Sequence, residues 1–255
     1  MSTVIVFSHP NHELAVFGLL QRLSPFLVYL TDGGGTNRLA QTRQGLEGIG
    51  LLGKALFLNH TEKSFYDSLL ACDAEFFEGI SEEVRASFQA IRPERILCDA
   101  VEFYNPVHDL TLPVVRAALR GHLDRPVFEV PLVYQRPGEG ESYAVQRLPA
   151  SRRTGQIAVR LSEEELDAKI SARDQIYTIL ADQMGPVLSE LPRAHVGLEY
   201  VAPARAGVPE PGPDVALRYE RRAQILADSG KIDHKITYEL HFLPVASSLL
   251  RSLER

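Results

Sequence analysis

The fold is decided near the start of the chain, where the run TVIVFS (residues 3–8) is followed directly by HPNHE (residues 9–13). The first run consists almost entirely of β-branched and aromatic residues, which is typical of a strand buried on both faces of a parallel sheet. The second run contains no glycine, so it lacks the tight turn that brings a dinucleotide's pyrophosphate against a helix N-terminus. The opening therefore indicates a buried first strand without a dinucleotide-binding loop.

Strand-like and helix-like patterns alternate over the first half of the chain. Further strands are predicted at residues 26–30, 55–58, 95–99 and 126–130, and helices at residues 12–23, 38–52, 81–91 and 109–119. This alternation predicts an α/β fold with a doubly wound, mostly parallel, Rossmann-like sheet and right-handed crossovers.

The second half of the chain is less regular. Residues 135–155 predict a long loop or an antiparallel excursion, and residues 161–191 predict a long helix that begins with a capping box formed by Ser162 and Glu165. Four prolines between residues 202 and 213 argue against a helix or an inner strand there. We expect C-terminal elaborations rather than a second βα array.

Composition limits the classes of protein that this chain can be. It has 255 residues, 45% of them hydrophobic and 24% charged, with a net charge of −6. These values exclude a disordered or fibrous chain, and a domain of this size needs no metal to hold its core together. A metal, if present, is therefore expected to be functional.

The same composition argues against nucleic acid and membranes as partners and bears on the expected compartment. An acidic chain has no electrostatic footprint for nucleic acid, and no apolar run approaches a membrane span. Cys72 and Cys98 form no paired motif and are expected to be buried thiols in a reducing compartment. We expect a cytoplasmic protein with a single domain over residues 1–255, comprising a βα core (1–131) and an elaborated second half (132–255).

Three loops that follow predicted strands carry polar side chains. They are SHPNHE at residues 8–13, TDGGG at residues 31–35 and YNPVHD at residues 104–109. In a doubly wound sheet, ligands bind beyond the carboxyl ends of the strands, at the point where the strand order reverses. The glycines of the second loop are read as a turn that requires positive φ angles.

Histidines in two of these loops indicate a metal site. His9 ends the first strand, His12 opens the next helix, and His108 comes from the loop after the fourth strand. A catalytic zinc ion typically has three protein ligands, and imidazole is a standard one. A histidine taken alone more often caps a helix or satisfies backbone groups, but three in such loops favour metal binding.

The order and spacing of these motifs resemble the PIG-L or LmbE-like deacetylases, zinc-dependent hydrolases that remove N-acetyl groups from amino-sugar compounds. That family carries HPDDE after the first strand, a Thr-x-Gly loop after the second, an Arg-bearing helix ending near Leu-Gly, and a later HPDH segment. This chain has HPNHE at residues 9–13, Thr31-Asp32-Gly33, Arg43 before Leu52-Gly53, and NPVH at residues 105–108. The resemblance covers about the first half of the chain. It implies an LmbE-like fold and deacetylase-like activity on an amino sugar or related small molecule.

Departures from the family pattern fall on its catalytic positions. By position, the resemblance implies that His9, His12 and His108 hold a divalent metal, with zinc the expected ion and His12 standing where the family has an aspartate. Asn11 stands where the family has its general-base aspartate, and an amide cannot accept a proton at useful pH. Asn105 replaces a histidine that helps to stabilise the oxyanion, and it remains a hydrogen-bond donor.

Three accounts of the altered site stay open. In the first, an active metallohydrolase relies on a three-His site that lowers the pKa of bound water to about 7, and Glu13, Asp32 or Asp109 takes the proton. In the second, the metal and pocket serve different chemistry, with Asn11 and Asn105 as hydrogen-bonding groups. In the third, catalysis is lost and the chain binds a sugar or a partner. The metallohydrolase ranks first.

Weaker expectations concern the surroundings of the site. The resemblance aligns Arg43 with the family's helix Arg, and its side chain is either a substrate contact or simply solvated or ion-paired. Asp32 and Gly33 belong to the second loop of the expected substrate pocket. Arg152 is either part of a lid or simply solvated. The apolar tail at residues 245–253 suits a subunit contact as well as the core, which leaves a homo-oligomer open.

Overall fold

A computed structural model describes residues 2–35, 37–121, 125–138 and 142–251, with the side chain of Ala181 left out. The strands are β1 (Thr3–Phe7), β2 (Phe26–Thr31), β3 (Ala55–His60), β4 (Arg95–Asp99), β5 (Val127–Val130), β6 (Val133–Gln135), β7 (Tyr143–Val145), β8 (Ile157–Arg160) and β9 (Leu198–Pro203). The α-helices are α1 (Phe17–Leu23), α2 (Arg38–Gly48), α3 (Glu62–Leu70), α4 (Ala74–Ile91), α5 (Pro106–Ala118), α6 (Glu163–Gln175), α7 (Thr178–Met184), α8 (Pro186–Ser189), α9 (Arg193–Val196), α10 (Arg218–Asp228) and α11 (Leu243–Arg251). Short 3-10 helices span His12–Val16, Leu52–Lys54 and Ala150–Arg152, and a π-helical turn spans Tyr238–Phe242.

Seven strands form one sheet in the order β3-β2-β1-β4-β5-β9-β8. The first five strands run parallel, whereas β9 pairs antiparallel with both β5 and β8. The strand order reverses between β1 and β4, which confirms the predicted doubly wound, mostly parallel α/β fold. Ligands are expected beyond the carboxyl ends of these two strands.

Strand β1 lies inside the sheet, between β2 and β4, and is buried on both faces. Val4 and Val6 pack into the apolar layer on one side, while Ile5 and Phe7 pack into the layer on the other. All four side chains have no exposed surface. Because successive side chains of a strand point to opposite faces, an uninterrupted apolar run suits only a strand covered on both sides.

The second half of the chain departs from the expected helices in two places. The Ser162–Glu165 capping box is confirmed, but the helix it starts ends at Gln175 and is followed by the separate short helices α7 and α8. Gly185 adopts φ 52° just before Pro186, and this turn interrupts the helical run. The prediction of one long helix over residues 161–191 was therefore wrong.

Two further secondary-structure predictions need correction. Helix α4 begins at Ala74, where the side chain of Asp73 caps it, and Ser81 lies inside the helix with its hydroxyl bonded to the Phe77 carbonyl. Residues Ala202 and Pro203, expected to lie outside inner strands, belong to β9 and pair with β5. Proline is tolerated there because it is the last residue of the strand.

The structure also tests the expectations about the two cysteines, membrane spans and the C-terminal tail. Cys98 is buried as expected, but Cys72 is exposed. Within the described ranges, no helix combines the length and hydropathy that a bilayer span requires. The tail at residues 245–253 is helical up to Arg251, and its Val245, Ala246 and Leu249 pack into the core; residues 252–253 lie outside the described part.

Candidate functional site

His9, at the carboxyl end of β1, is held in one tautomer by its neighbours. Its Nδ1 lies 2.7 Å from the Thr31 hydroxyl, which itself donates to the Ser8 carbonyl at 2.8 Å. Because the Thr31 proton is already committed, Nδ1 is the donor and the lone pair of the neutral ring lies on Nε2. That Nε2 is buried and has no hydrogen-bond partner among the described residues. A neutral imidazole nitrogen with its lone pair in this position can bind a metal ion.

His12 is oriented by a buried carboxylate that the sequence pattern did not single out. Its Nδ1 donates to Asp99 Oδ2 at 2.9 Å, and the same oxygen accepts from the backbone N–H and the hydroxyl of Ser8 at 2.7 and 2.6 Å. Asp99 ends β4, the neighbour of β1. A carboxylate that binds one ring nitrogen fixes the other for a ligand, as in many metal sites.

His108, in the first turn of α5, completes a cluster with the other two imidazoles. Its ring centroid lies 4.9 Å from that of His9 and 4.5 Å from that of His12, and the latter two are 5.2 Å apart. Burial lowers the pKa of both His9 and His108 well below the usual range, and the charge of His12 acts in the same direction. These two rings are therefore neutral at pH 7, the form that binds metals.

The three rings lie close together, but their donor atoms are not arranged around a common metal position. Within the described ranges, no group of three or more His, Cys, Asp or Glu side chains has donors arranged to hold a metal ion. The proximity of the rings, and a His9 Nε2 that none of the described residues hydrogen-bonds, nevertheless match a three-imidazole donor set in kind.

A cavity of about 430 Å³ opens onto His12 and His108. Its wall is formed by residues from the three predicted loops, the 3-10 helix His12–Val16, the first turns of α2 and α3, the β6–β7 hairpin, α7, α8 and α10. Its charged side chains other than histidine are Arg38, Glu62, Arg218 and Arg222. In a chain of net charge −6, three cations against one carboxylate make this wall locally positive.

Asn11 lines the cavity, but its side chain is used to hold the loop. Its Oδ1 accepts from the Thr42 hydroxyl at 3.0 Å, and its Nδ2 donates to Gln41 Oε1 at 2.9 Å. The residue has φ 78°, a left-handed conformation that asparagine tolerates well. Asn11 thus fixes the turn between His9 and His12.

Glu62, which the sequence pattern also left unmarked, is the carboxylate among the described lining residues. Its Oε1 lies 3.6 Å from His9 Nε2, and its backbone N–H donates to Asp32 Oδ1 at 3.1 Å. Burial raises its pKa, while Arg38 and the side chain of Asn105 oppose the rise. A Cβ on Gly34 would stand 2.3 Å from Glu62 Oε2, so the glycine run provides space as well as a positive φ.

Three other predicted site residues, Asp32, Gly33 and Asn105, lie in loops at this edge of the sheet. Asp32 lies outside the cavity wall and accepts from Gly34 N–H, while Gly33 lines the wall. Asn105 also lines it; its Oδ1 caps α5 through the Val107 N–H and accepts from the Tyr66 hydroxyl.

Glu13 and Asp109 were expected near the reacting groups, but the structure does not bring them to the cavity wall. Both are fully buried. Asp109 Oδ1 accepts from the N–H groups of residues 102 and 103, and burial raises its pKa to about 7. Burial also raises the pKa of Glu13. Their placement favours structural roles.

The positions of the arginines relative to the cavity also differ from the prediction. The Arg43 guanidinium stacks 4.5 Å above the Phe57 ring, away from the cavity, whereas Arg38 on the same helix lines it. Arg152 forms a buried ion pair with Glu129 and donates to the Val101 carbonyl, so it anchors the loop after β4 and is no lid.

Comparison with known proteins supports the fold. No family model and no curated protein matches the sequence. Among solved structures, a triple mutant of a deacetylase from the teicoplanin biosynthetic pathway aligns with a TM-score of 0.54 and 10% identity, over 80% of this chain and 97% of that one. The A40926 pseudoaglycone deacetylase aligns at 0.53 and 14%, over 79% and 96%. A zinc-inhibited form of teicoplanin deacetylase aligns at 0.51 and 9%, over 81% and 100%.

The fold is that of these deacetylases. This agrees with the α/β fold that the resemblance in the first half of the chain implied. At 9–14% identity the similarity concerns the deacetylase fold, and the chemistry must be argued from the residues of this chain.

If Asp99 orients His12 for a metal, replacing it should weaken metal binding within this deacetylase fold. We expect Asp99→Asn to reduce zinc affinity by about 10- to 100-fold, the usual effect of losing such a carboxylate. Competition with a chromophoric chelator measures it.

The chain offers a matched control for that change. Asp214 accepts from the backbone N–H and hydroxyl of Ser151, as Asp99 does from Ser8, but unlike Asp99 it has no histidine partner among the described residues. Asp214→Asn should leave zinc affinity unchanged. Equal affinities for Asp99→Asn and the wild type would remove the orienting role.

Proposed function

We propose that this protein is a metal-dependent hydrolase that removes an N-acyl group, with N-acetyl the first choice, from an amino sugar or a related small molecule. The observation that carries the proposal is the cluster of three imidazoles, 4.5 to 5.2 Å apart, beyond the carboxyl ends of β1 and β4. It adjoins a cavity large enough for a sugar-sized ligand. The similarity of fold to deacetylases supports the same reaction class.

His9, His12 and His108 are the residues that would hold the metal, and their chemistry fits zinc. The lone pair on His9 Nε2 is buried and has no hydrogen-bond partner in the described part of the chain. Asp99 and Thr31 fix the other nitrogens of His12 and His9. One solved structure with this fold is the zinc-inhibited form of a teicoplanin deacetylase, which supports interaction of a divalent ion with proteins of this fold. When bound, the ion would polarise the amide carbonyl and increase the acidity of a water molecule.

Other side chains at the cavity wall have distinct tasks in this proposal. Glu62 Oε1 accepts the proton of the attacking water and returns it to the leaving amine nitrogen. Arg38 and Asn105 favour the ionised form of Glu62, because both lower its pKa against the effect of burial. Asn11 keeps the His9–His12 turn in shape through Thr42 and Gln41. Acetate and the free amine are the products.

Metal content tests the proposal without a substrate. After incubation with zinc and desalting, the wild type should retain about one ion per chain, as expected for a three-ligand catalytic site. His9→Ala, His12→Ala and His108→Ala should each lose most of it, as measured by inductively coupled plasma mass spectrometry.

A histidine outside the cluster provides the control for this measurement. His60 pairs with Glu83, and His60→Ala should retain zinc like the wild type. A wild type that binds no zinc, or three cluster variants that bind it undiminished, would refute the metal site.

A further inference from the structure

A second cavity, of about 350 Å³, adjoins the first. Tyr104, Asn105, Arg218 and Arg222 line both cavities and therefore form their common wall. His12 and His108 of the imidazole cluster line the first cavity, on one side of this wall. A molecule that extends from one cavity into the other would pass the two arginines.

Helix α10 presents one face to the second cavity. Three of its lining residues, Arg218, Arg222 and Leu226, have the i, i+4, i+8 spacing of one helical stripe. Tyr219 and Ala223 lie beside them on the same face. Ile225, outside this stripe, is 61% exposed. The arginines stand at the start of the stripe and the apolar residues continue it.

The remaining wall of the second cavity is largely apolar. It is formed by Leu70, Pro106, Ile232 and Ile236, together with Tyr66 and the apolar side chains of α10. No carboxylate is among its described lining residues, whereas Lys235 and His234 are. This combination favours a compact apolar group that carries negative charge.

The two arginines of the common wall are available to an anion. Arg218 stacks 4.4 Å above the Tyr104 ring, which holds its guanidinium flat against the wall. Among described residues, neither the Arg218 nor the Arg222 side chain makes a hydrogen bond or an ion pair. A guanidinium binds carboxylates and phosphates through paired N–H groups, so both anion classes suit it.

We propose that the second cavity is a binding subsite for a compact apolar group bearing a carboxylate or phosphate, held by Arg218 and Arg222. On the proposed function, on which this extension rests, the group is the part of the substrate attached beyond the amino sugar. The class of substrate is then an N-acyl amino sugar linked to an anionic, apolar moiety. A plain neutral monosaccharide would leave the second cavity empty.

Binding of small probes tests the subsite independently of any hydrolysis. Phenyl phosphate, phenylacetate and benzyl alcohol are titrated into the metal-free protein by isothermal titration calorimetry. Both anions should bind at least about tenfold more tightly than the neutral alcohol, because charge-assisted hydrogen bonds are the stronger ones. The order of the two anions distinguishes a phosphate site from a carboxylate site.

Variants of α10 identify the location. Arg222→Gln should remove most of the preference for anions, and Ala223→Phe should abolish binding of all three probes by filling the cavity. Arg221→Gln makes the same charge change on the adjacent, exposed residue, which lines neither cavity, and should bind like the wild type. Circular dichroism checks that each variant is folded.

Three results would overturn the subsite: no saturable binding of any probe, anions bound no better than benzyl alcohol, or equal binding by Arg222→Gln and Arg221→Gln. Hydrolysis is then compared for 4-carboxyphenyl N-acetylglucosaminide and for 4-methylphenyl N-acetylglucosaminide, in which a methyl group replaces the carboxylate. This comparison links the two proposals. A lower KM for the carboxyphenyl compound, lost in Arg222→Gln, is expected. Selective probe binding without any hydrolysis would refute the proposed reaction while leaving the subsite intact.

Discussion

Glu62→Gln is expected to lower kcat for N-acetylglucosamine deacetylation by about 10²- to 10⁴-fold, the usual contribution of a positioned general base. Glu62 is the carboxylate among the described residues that line the cavity, and its Oε1 is 3.6 Å from His9 Nε2. Glutamine keeps the shape and an acceptor oxygen for Asn105 but cannot take a proton. Release of primary amine, followed by fluorescamine, measures the rate.

The control for this change is another glutamate in the first turn of a helix. Glu75 lies in the first turn of α4, as Glu62 does in the first turn of α3, and it lines neither cavity. Glu75→Gln should leave kcat unchanged. Zinc content of Glu62→Gln should also stay near that of the wild type, which separates loss of a base from loss of the metal.

Asn11→Asp gives a contrasting expectation. The Asn11 amide is already hydrogen-bonded to Thr42 and Gln41. A carboxylate at this position would place an oxygen against Gln41 Oε1 unless the Gln41 amide flips. We expect a change in kcat of less than about threefold, since no proton-transfer group is gained at the reacting atoms. A large gain in Asn11→Asp together with an unaffected Glu62→Gln would return the base to position 11.

The sequence could predict the centre of the sheet because its information there is local. The β-branched run at residues 3–8 and the strand at residues 95–99 each identify a buried strand on their own. The polar residues that follow such strands lie at the same edge of the sheet, so the sequence alone points to His9, His12 and His108. Asp99 could have been found by the same argument, because it ends the strand beside β1.

Other parts of the site depend on contacts between distant segments. Glu62 follows β3, two strands from the reversal point, and reaches the cavity because Gly34 leaves room for its carboxylate. Arg218 and Arg222 come from a helix whose position relative to the sheet no local pattern specifies. Likewise, β9 is stabilised by pairing with β5 and β8, which outweighs the weak strand propensity of its proline-terminated end.

Stability should depend strongly on a buried ion pair that joins the two halves of the chain. Lys169 Nζ lies 2.9 Å from Glu199 Oε1, and both side chains are almost fully buried. Glu199 also accepts from the N–H groups of Gly18 and Leu19, and Lys169 donates to the Ala15 carbonyl. The pair therefore ties α6 and β9 to the segment that follows His12.

Lys169→Met is expected to lower the free energy of unfolding by about 3 to 5 kcal/mol, because it leaves a buried carboxylate without its counter-charge. Burial lowers the pKa of Lys169, while Glu199 opposes that shift. The ammonium is thus retained by its partner rather than by solvent. Urea denaturation at pH 7, monitored by circular dichroism, measures the loss.

A double-mutant cycle shows whether that loss belongs to the pair. Glu199→Gln removes the charge but keeps one acceptor for the α1 N–H groups, and the double variant with Lys169→Met should lose less than the sum of the two single changes. The exposed pair Lys63–Asp67, with side chains 81% and 58% exposed, provides the contrast. Lys63→Met should change stability by no more than about 0.5 kcal/mol. Additive losses in the buried cycle would mean that Lys169 and Glu199 stabilise the fold through their backbone partners, not through each other.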